Sequence, residues 1–308
     1  MHRRALPLAL LAGAIALVGC DYEDWGSSDR FKEDFAQSYS LKEGGTLFLE
    51  NMNGSVEVLG WDQNTVDIKG TKYAATEDLL RQLKIDIVAD PSSVRIRTIR
   101  PSDRGNCGAR FVIHVPRKIA LDRVESSNGS IRIENINGNA RLRTSNGGIR
   151  VWSVTGNVDA TTSNSTVEFG QFTGAADIQT SNGRIRAEGV KGSFEGKTSN
   201  GSIDVSLADI DSSRPIRLRT SNSSINITME NFKNNEIRAE TTNGSVNLRM
   251  PPDVNAQLRA STSNGGISTD FETKTTAMSK HHLEGSLGSG GSLIELITSN
   301  GSVRLMKK

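Results

Sequence analysis

The chain has 308 residues, of which 23% are charged and only 5% are aromatic, and its formal net charge is +2. Arg3 and Arg4 would leave with the export signal described below, so that 35 basic and 35 acidic residues would remain. A balanced chain lacks the basic excess that nucleic-acid binding requires, and we expect no nucleic-acid partner.

Residues 1–19 have the pattern of an export signal. A basic start at residues 2–4 is followed by an apolar run over residues 5–18. This run is too short for a permanent transmembrane helix, but it has the length of the hydrophobic region of a signal peptide. It ends in Leu-Val-Gly before Cys20, which resembles the bacterial lipobox. The resemblance implies that Cys20 becomes a lipidated N-terminus; the alternative is an ordinary signal peptide followed by a chance cysteine.

Lipidation of Cys20 would make the membrane a partner of this chain through its N-terminal lipid. Each buried methylene contributes about 0.8 kcal/mol, so several acyl chains together anchor a protein stably. Residues 20–40 are polar and acidic, and we interpret them as a tether between membrane and domain. Asp21 resembles an inner-membrane retention signal of enteric bacteria, a rule that does not hold in all bacteria. We therefore expect an envelope lipoprotein that faces either the periplasm or the cell surface.

Residues 41–308 are predicted to form one β-solenoid domain, whose first part, residues 41–125, is irregular. Thr76 to Lys84 contains helix formers, a threonine N-cap candidate and acidic residues in the first turn, which predicts one short helix. Cys107 would have no intramolecular partner once Cys20 is lipidated, so it is either a buried small residue or a free thiol, and we favour burial. Apolar alternation predicts strands at residues 46–50, 65–69, 85–89, 93–99 and 110–115.

A Thr-Ser-Asn-Gly motif recurs through residues 126–308, the regular part of the domain. Its spacing is 18 residues in the first five copies and then 22, 21, 21 and 36. A fixed period near 20 residues predicts a solenoid, here with coils of roughly 18–22 residues. The motif asparagines are Asn128, Asn146, Asn164, Asn182, Asn200, Asn222, Asn243, Asn264 and Asn300.

The apolar residues follow the same repeat. Further apolar residues alternate on both sides of the motif, and Gly138, Gly156, Gly174 and Gly192 mark a second turn between the two strands of each coil. The pattern predicts an all-β, parallel, β-helix-like solenoid. The β-branched residues three places after each asparagine are Ile131, Ile149, Val167, Ile185, Ile203, Ile225, Val246, Ile267 and Val303.

Stacking explains the choice of asparagine. Asparagine tolerates the left-handed backbone of a tight turn, and the glycine after it would supply the next such residue. The same turn lies above its copy in the next coil, so the side-chain amides can bond one another or the backbone. We interpret the nine asparagines as a structural turn ladder and not as a binding site. The glycine-rich residues 279–292 are predicted to form a flexible hairpin excursion within the last long repeat.

With these motifs in view, the chain resembles the DUF4097 family, a group of candidate adhesins with β-strand repeats. The resemblance rests on residues 111–116 (Phe-Val-Ile-His-Val-Pro) leading into residues 127–131 (Ser-Asn-Gly-Ser-Ile), on the serial motifs and on the glycine-rich segment before the last motif. It extends from about Leu47 to Leu305. It implies a β-solenoid fold and an adhesin-like role, and it brings no catalytic or ligand residues.

No group of residues in the sequence has the composition of a catalytic site or a metal site. Outward charged residues at equivalent places in successive coils are interpreted as a solvated face whose alternating signs avoid like-charge stacking. They are Arg132, Arg150, Glu168, Arg186 and Asp204. His114 is interpreted as an outward strand residue, and His281 and His282 have too few neighbouring ligands for a metal. No pair of acidic residues repeats as acid–base chemistry would require. We expect no catalytic residue, metal or cofactor.

The leading hypothesis is an adhesin-like or scaffold protein of the cell envelope whose partner is an envelope protein or glycan. Two alternatives stay open: a carbohydrate-active β-helix enzyme, and a stress or regulatory lipoprotein.

Overall fold

The computed structural model describes residues 29–101, 105–209 and 215–308. Cys20 and the predicted signal of residues 1–19 lie outside these described residues. The N-terminal elements are β1 (Phe31–Ser40), β2 (Gly45–Asn51), β3 (Val56–Trp61), β4 (Thr65–Ala74), α1 (Glu77–Gln82), β5 (Lys84–Asp90), β6 (Ser93–Ile99), β7 (Cys107–Pro116), β8 (Ile119–Ser126) and β9 (Ile131–Glu134).

The regular part of the chain continues as strands only. Its first half contains β10 (Ala140–Thr144), β11 (Ile149–Trp152), β12 (Thr155–Thr161), β13 (Val167–Gly170), β14 (Thr173–Gln179), β15 (Ile185–Lys197), β16 (Ile203–Asp209), β17 (Ile216–Arg219) and β18 (Ile225–Met229). Its second half contains β19 (Ile237–Glu240), β20 (Val246–Met250), β21 (Ala256–Ser261), β22 (Ile267–Thr269), β23 (Thr273–Met278), β24 (His282–Leu287), β25 (Leu293–Ile297) and β26 (Val303–Lys307).

Each coil contributes one strand to each of two faces. Neighbouring coils pair in parallel and in register, so that Ile149 lies between Ile131 and Val167. Strand β15 is long enough to run through both faces. Face I has the order β4, β7, β3, β9, β11, β13, β15, β16, β18, β20, β26, β22. Face II has the order β5, β6, β2, β8, β10, β12, β14, β15, β17, β19, β25, β21, β24, β23.

The hydrophobic core is the space between the two faces. Alternate residues of each regular strand are buried, as in the four-residue strand β9 with its buried Ile131 and Ile133. Most coils fill this space with aliphatic side chains, and three of the four fully buried phenylalanine rings lie together in the middle of the solenoid. Phe169 meets Phe172 and Phe194 edge-to-face, with ring centroids 5.2 and 6.2 Å apart. The predicted all-β parallel solenoid is confirmed.

The short helix predicted near residue 80 is also confirmed. Thr76 caps α1, because its Oγ1 accepts a hydrogen bond from the backbone N–H of Leu79. Leu79 and Leu80 pack with Cys107 in a small cluster apart from the main core. Cys107 is 1% exposed and free, and its burial raises the pKa of the thiol. The preference for a buried cysteine is therefore confirmed.

The predicted tether of residues 20–40 is wrong from residue 31 onward. Strand β1 pairs with β4 along its whole length in an antiparallel register from Phe31 to Ser40. Phe35 packs edge-to-face on Phe111, with 5.9 Å between ring centroids. Partly buried aromatic side chains every fourth residue anchor this otherwise polar strand. A tether can therefore extend no further than residue 30.

The predicted flexible excursion of residues 279–292 is wrong for its central part. Residues 282–287 form β24, which pairs antiparallel with both β21 and β23. Leu283 and Leu287 are buried, so the segment closes the end of the hydrophobic core and does not extend into solvent.

The coils at both ends do not follow sequence order. The coil of β2 and β3 lies between the coil of β6 and β7 and that of β8 and β9. At the other end, the coil of β25 and β26 lies between the coil of β19 and β20 and that of β21 and β22. This order accounts for the final motif spacing of 36 residues. The chain first forms the coil of β21 and β22 and then returns to place β25 and β26 between that coil and the coil of β19 and β20.

Candidate binding surfaces

The motif asparagines lie in one exposed column, which we call the asparagine column. In the interior of the column, Asn146 Nδ2 donates to Asn128 Oδ1 at 2.7 Å, and every later asparagine donates in the same direction. Asn300 donates to Asn243 and accepts from Asn264, as the coil order requires. The full spatial order, preceded by Asn53, is Asn128, Asn146, Asn164, Asn182, Asn200, Asn222, Asn243, Asn300 and Asn264, with bonds of 2.6–2.8 Å.

The threonine that begins each motif supports the same corner from inside. Thr144 is 4% exposed, and its Oγ1 donates to the carbonyl oxygen of Gly129 in the preceding coil at 3.0 Å. Thr144 Oγ1 also accepts a hydrogen bond from the backbone N–H of Gly147 at 3.2 Å. Equivalent bonds from threonine to the neighbouring coil recur through Thr298 and Thr262. The corner thus satisfies buried polar groups within the protein.

The reason given above for the motif glycine is wrong. Neither the motif asparagines nor the glycines after them have a left-handed backbone. A Cβ on Gly147 would instead lie 1.9 Å from the carbonyl oxygen of Gly129, and one on Gly201 would lie 1.8 Å from that of Gly183. Successive coils approach too closely at this corner for a side chain. Ser165 and Ser223 take the place of glycine in two copies, so the spacing is set locally, coil by coil.

A series of left-handed residues lies at the opposite corner, which we call the glycine corner after the predicted turn glycines. Asn135, Ser153, Gln171 and Gly189 have φ values of 58°, 52°, 51° and 65° and are spaced by 18 residues. Three of the four carry a side chain, which makes this backbone conformation costly. Their common period was the available sequence signal, but the varied residue types concealed it.

The predicted charged column of face I is in register. Arg150 stands beside both Arg132 and Glu168, and Glu168 stands beside Arg186. Ion pairs relieve the like charges: Arg150 lies 2.9 Å from Glu168, and Arg132 lies 2.6 Å from Glu134. All these side chains are substantially exposed, so each pair contributes little to stability.

Face II carries an open trough of about 670 Å³ that crosses six consecutive coils. Its floor is made of small residues such as Ala140 and Ala176. A row of outward carboxylates, Asp159, Asp177 and Glu195, stands in register along it. Glu195 pairs with Arg217 at 3.0 Å, whereas Asp159 and Asp177 have no ion-pair partner within the described residues. This row was not predicted from the sequence, because only the charged column of face I was considered there.

A second cavity of about 590 Å³, the corner pocket, lies beside the glycine corner. Its chief aromatic surface is Trp61, whose Nε1 donates to the carbonyl oxygen of Thr65 at 2.9 Å. The indole also stacks on His114 with 5.1 Å between ring centroids. The remaining walls come from residues 62–64, 116–118 and 135–137, together with Glu43, Ser153 and Thr155. Residues far apart in the sequence therefore meet here only because the coils stack.

The matched family covers nearly all of the solenoid. The family model described as Toastrack DUF4097 matches residues 46–306. The chain belongs to this family. A β-solenoid is the Toastrack fold, which is the architecture described above. No curated protein matches the chain significantly.

Several solved structures resemble this Toastrack chain at 11% identity. A candidate adhesin from Bacteroides fragilis covers 90% of this chain and 97% of its own, with a TM-score of 0.38. A candidate lipid-binding protein from Parabacteroides distasonis covers 88% of this chain and 96% of its own, with a TM-score of 0.32. A candidate cell adhesion protein from Clostridium sporogenes covers 90% of this chain and all of its own, with a TM-score of 0.21.

The histidines of the Toastrack domain do not converge. His114 is half-buried beneath Trp61, and its Nδ1 is buried without a hydrogen-bond partner. His282 lies 3.5 Å from Glu284 at the far end of the solenoid. Across residues 29–101, 105–209 and 215–308, no group of three or more His, Cys, Asp or Glu side chains could hold a metal ion. Helix α1, in the same ranges, is neither long nor apolar enough to cross a membrane.

Proposed function

We propose that this chain is a lipid-anchored, non-enzymatic protein of the bacterial cell envelope that binds a partner protein or glycan, as an adhesin or scaffold does. The trough on face II carries the proposal. It is a concave surface of about 670 Å³ lined by residues from six successive coils.

The trough is suited to an extended partner. Its walls repeat at the spacing of adjacent strands, about 4.8 Å, so a partner with a regular repeat can make similar contacts with each coil. The floor belongs to one continuous parallel sheet, whose paired strands hold these positions in register. Binding to such a surface requires little ordering of the protein, which lowers the entropic cost of many weak contacts.

Site-specific crosslinking in cells tests the proposal. A photoreactive amino acid at Asn157, an exposed trough residue, should capture a defined protein or glycan that mass spectrometry identifies. The same amino acid at Arg304, an exposed outward residue of face I, is the matched control. Equal capture at both positions, or none above background, would contradict the assignment of the trough.

The anchor is tested separately at Cys20. Cys20→Ala should leave the precursor unprocessed by the lipoprotein signal peptidase and should release no membrane-bound mature form. Its readouts are the precursor mass and the partition of the protein between membrane and soluble fractions. If the variant matures at the same position and stays membrane-bound, the lipid anchor is wrong whatever the trough binds.

The carboxylate row supports a second candidate, a carbohydrate-active enzyme. Glycosidases use a pair of carboxyl groups roughly 5–10 Å apart, and adjacent strands place Asp159, Asp177 and Glu195 at about this scale. This candidate predicts release of reducing ends from envelope polysaccharides and its loss in Asp177→Asn. Intact polysaccharides after incubation with the wild-type protein would exclude it.

A further inference from the structure

The corner pocket has charged walls whose charges are already paired with each other. Arg117 donates to both carboxylate oxygens of Asp62, at 2.6 and 3.2 Å, and Lys118 lies 3.0 Å from Glu43. This pairing holds the pKa of Asp62 below its usual value, first through the hydrogen bond from Arg117 and then through its charge. Two cations and two anions leave the pocket without net charge, so it is not built for an anionic or a cationic ligand.

The amide side chains of the pocket are, by contrast, uncommitted. Gln63, Asn64, Asn135 and Asn137 line the cavity, and within the described residues none of their side-chain amides has a hydrogen-bond partner. An amide offers two N–H donors and a carbonyl acceptor. Asparagines in the column are paired to one another at 2.6–2.8 Å, which shows that amides on this surface do pair where a partner is within reach.

Trp61 provides the apolar part of the pocket and is held in place from two sides. Its Nε1 is bonded to the carbonyl oxygen of Thr65, and its ring stacks on His114. Pro116 and Ile136 extend the apolar surface. A fixed aromatic ring beside a few polar groups is the usual composition of a small-molecule site, and 590 Å³ lies within the usual range of volumes.

We propose that the corner pocket binds a neutral saccharide unit. A sugar ring has hydroxyl groups that both donate and accept, which matches amide side chains, and it has a C–H face that packs on an indole. The absence of net charge in the pocket disfavours phosphate, sulfate and uronic acids. This inference goes beyond the proposed function, since the pocket lies at the glycine corner and not in the trough, and either can fail alone.

Saturation-transfer NMR on the purified domain, residues 29–308, tests the saccharide site. The probes are cellobiose, lactose and N,N′-diacetylchitobiose, together with an anionic galacturonic acid dimer and a tripeptide made only of serine and asparagine, without charged side chains. We expect saturation transfer to at least one neutral disaccharide and none to the acidic dimer. Transfer to none of the neutral sugars would overturn the proposal, and transfer to the tripeptide alone would overturn it in favour of a peptide site.

Two variants identify the pocket as the site of binding. Asn137→Ala and Gln63→Ala remove exposed amides whose loss leaves the core intact. Each should raise the dissociation constant roughly three- to tenfold, the effect of losing one hydrogen bond. Asn157→Ala, an exposed amide in the trough, is the matched control and should bind as the wild type does. Unchanged affinity in both pocket variants, with melting temperatures equal to that of the wild type, would also overturn the proposal.

Discussion

The close approach of coils beside the asparagine column can be tested with two neighbouring glycines. A Cβ on Gly147 would meet the carbonyl oxygen of Gly129 at 1.9 Å and its carbonyl carbon at 2.3 Å, whereas real Cβ contacts essentially never fall below 3.0 Å. A Cβ on Gly148 would meet nothing closer than 3.3 Å. Neither residue has a left-handed φ, so the two substitutions differ in space and not in backbone strain.

The expected changes in the free energy of unfolding differ in size. Gly147→Ala should destabilise the protein by about 1–3 kcal/mol, the usual cost of overpacking, because it pushes two coils apart. The movement would also stretch the bond between Thr144 Oγ1 and the Gly129 carbonyl, now 3.0 Å long. Gly148→Ala should change the stability by much less, because its Cβ would lie 3.3 Å from the nearest atom, the carbonyl oxygen of Thr166, and alanine also restricts the unfolded chain.

Urea denaturation followed by far-ultraviolet circular dichroism measures both changes, with thermal melting as a second probe. The pair Gly265→Ala and Gly266→Ala repeats the comparison near the end of the solenoid, where Cβ atoms would meet an oxygen at 1.9 Å and nothing within 4 Å. A neutral Gly147→Ala would show that the coil relaxes as it does at Ser165. That result, or equal losses at Gly147 and Gly148, would refute the argument from coil spacing.

Four further outcomes are expected. Asn182→Ala removes two column bonds and Asn264→Ala removes one, so the first should lower the free energy of unfolding by about 1–3 kcal/mol and the second by about half of that, measured by urea denaturation. Gln171→Gly should raise the free energy of unfolding by about 1 kcal/mol because φ at this position is 51°, and equal urea midpoints would contradict this. Removing residues 293–308 should abolish the cooperative thermal transition, since β25 and β26 separate two other coils. Asp90 accepts hydrogen bonds from the side chains and backbone of two serines, which hold its pKa far below the usual value. Its stabilising contribution is therefore present at neutral pH and lost in acid. The difference in melting temperature between the wild type and Asp90→Asn should shrink below about pH 4.

The coil architecture could be predicted because the local periodicity of the sequence determines it. An 18-residue repeat with β-branched residues three places after each asparagine requires parallel strands in register, and Ile131, Ile149 and Val167 indeed stack. The order of coils at the ends could not be predicted in this way. Nearly identical motifs make a coil compatible with any neighbour, and only the hairpins and their packing select the order observed.

The candidate sites were hidden for a different physical reason. Trp61 and Asn137 belong to different coils and meet only after stacking, so no spacing in the sequence joins them. The carboxylate row of the trough was visible at an 18-residue spacing, as Asp159 and Asp177, but it required knowledge of which face points outward. Strand β1 was missed because its polar residues outnumber Phe31, Phe35 and Tyr39, whose contacts hold it.

The inserted coil of β25 and β26 has a consequence for how the chain reaches its final state. β21 and β22 precede β25 and β26 in the chain, so before the later strands are in place the coil of β21 and β22 can stack directly on that of β19 and β20, with Asn264 beside Asn243. The repeated motif makes this premature stack resemble the final one, which creates a kinetic trap. Escape requires the two coils to separate so that the later coil can enter between them. We therefore expect folding of this solenoid to include a rearrangement step that a strictly sequential array of the same repeats would avoid.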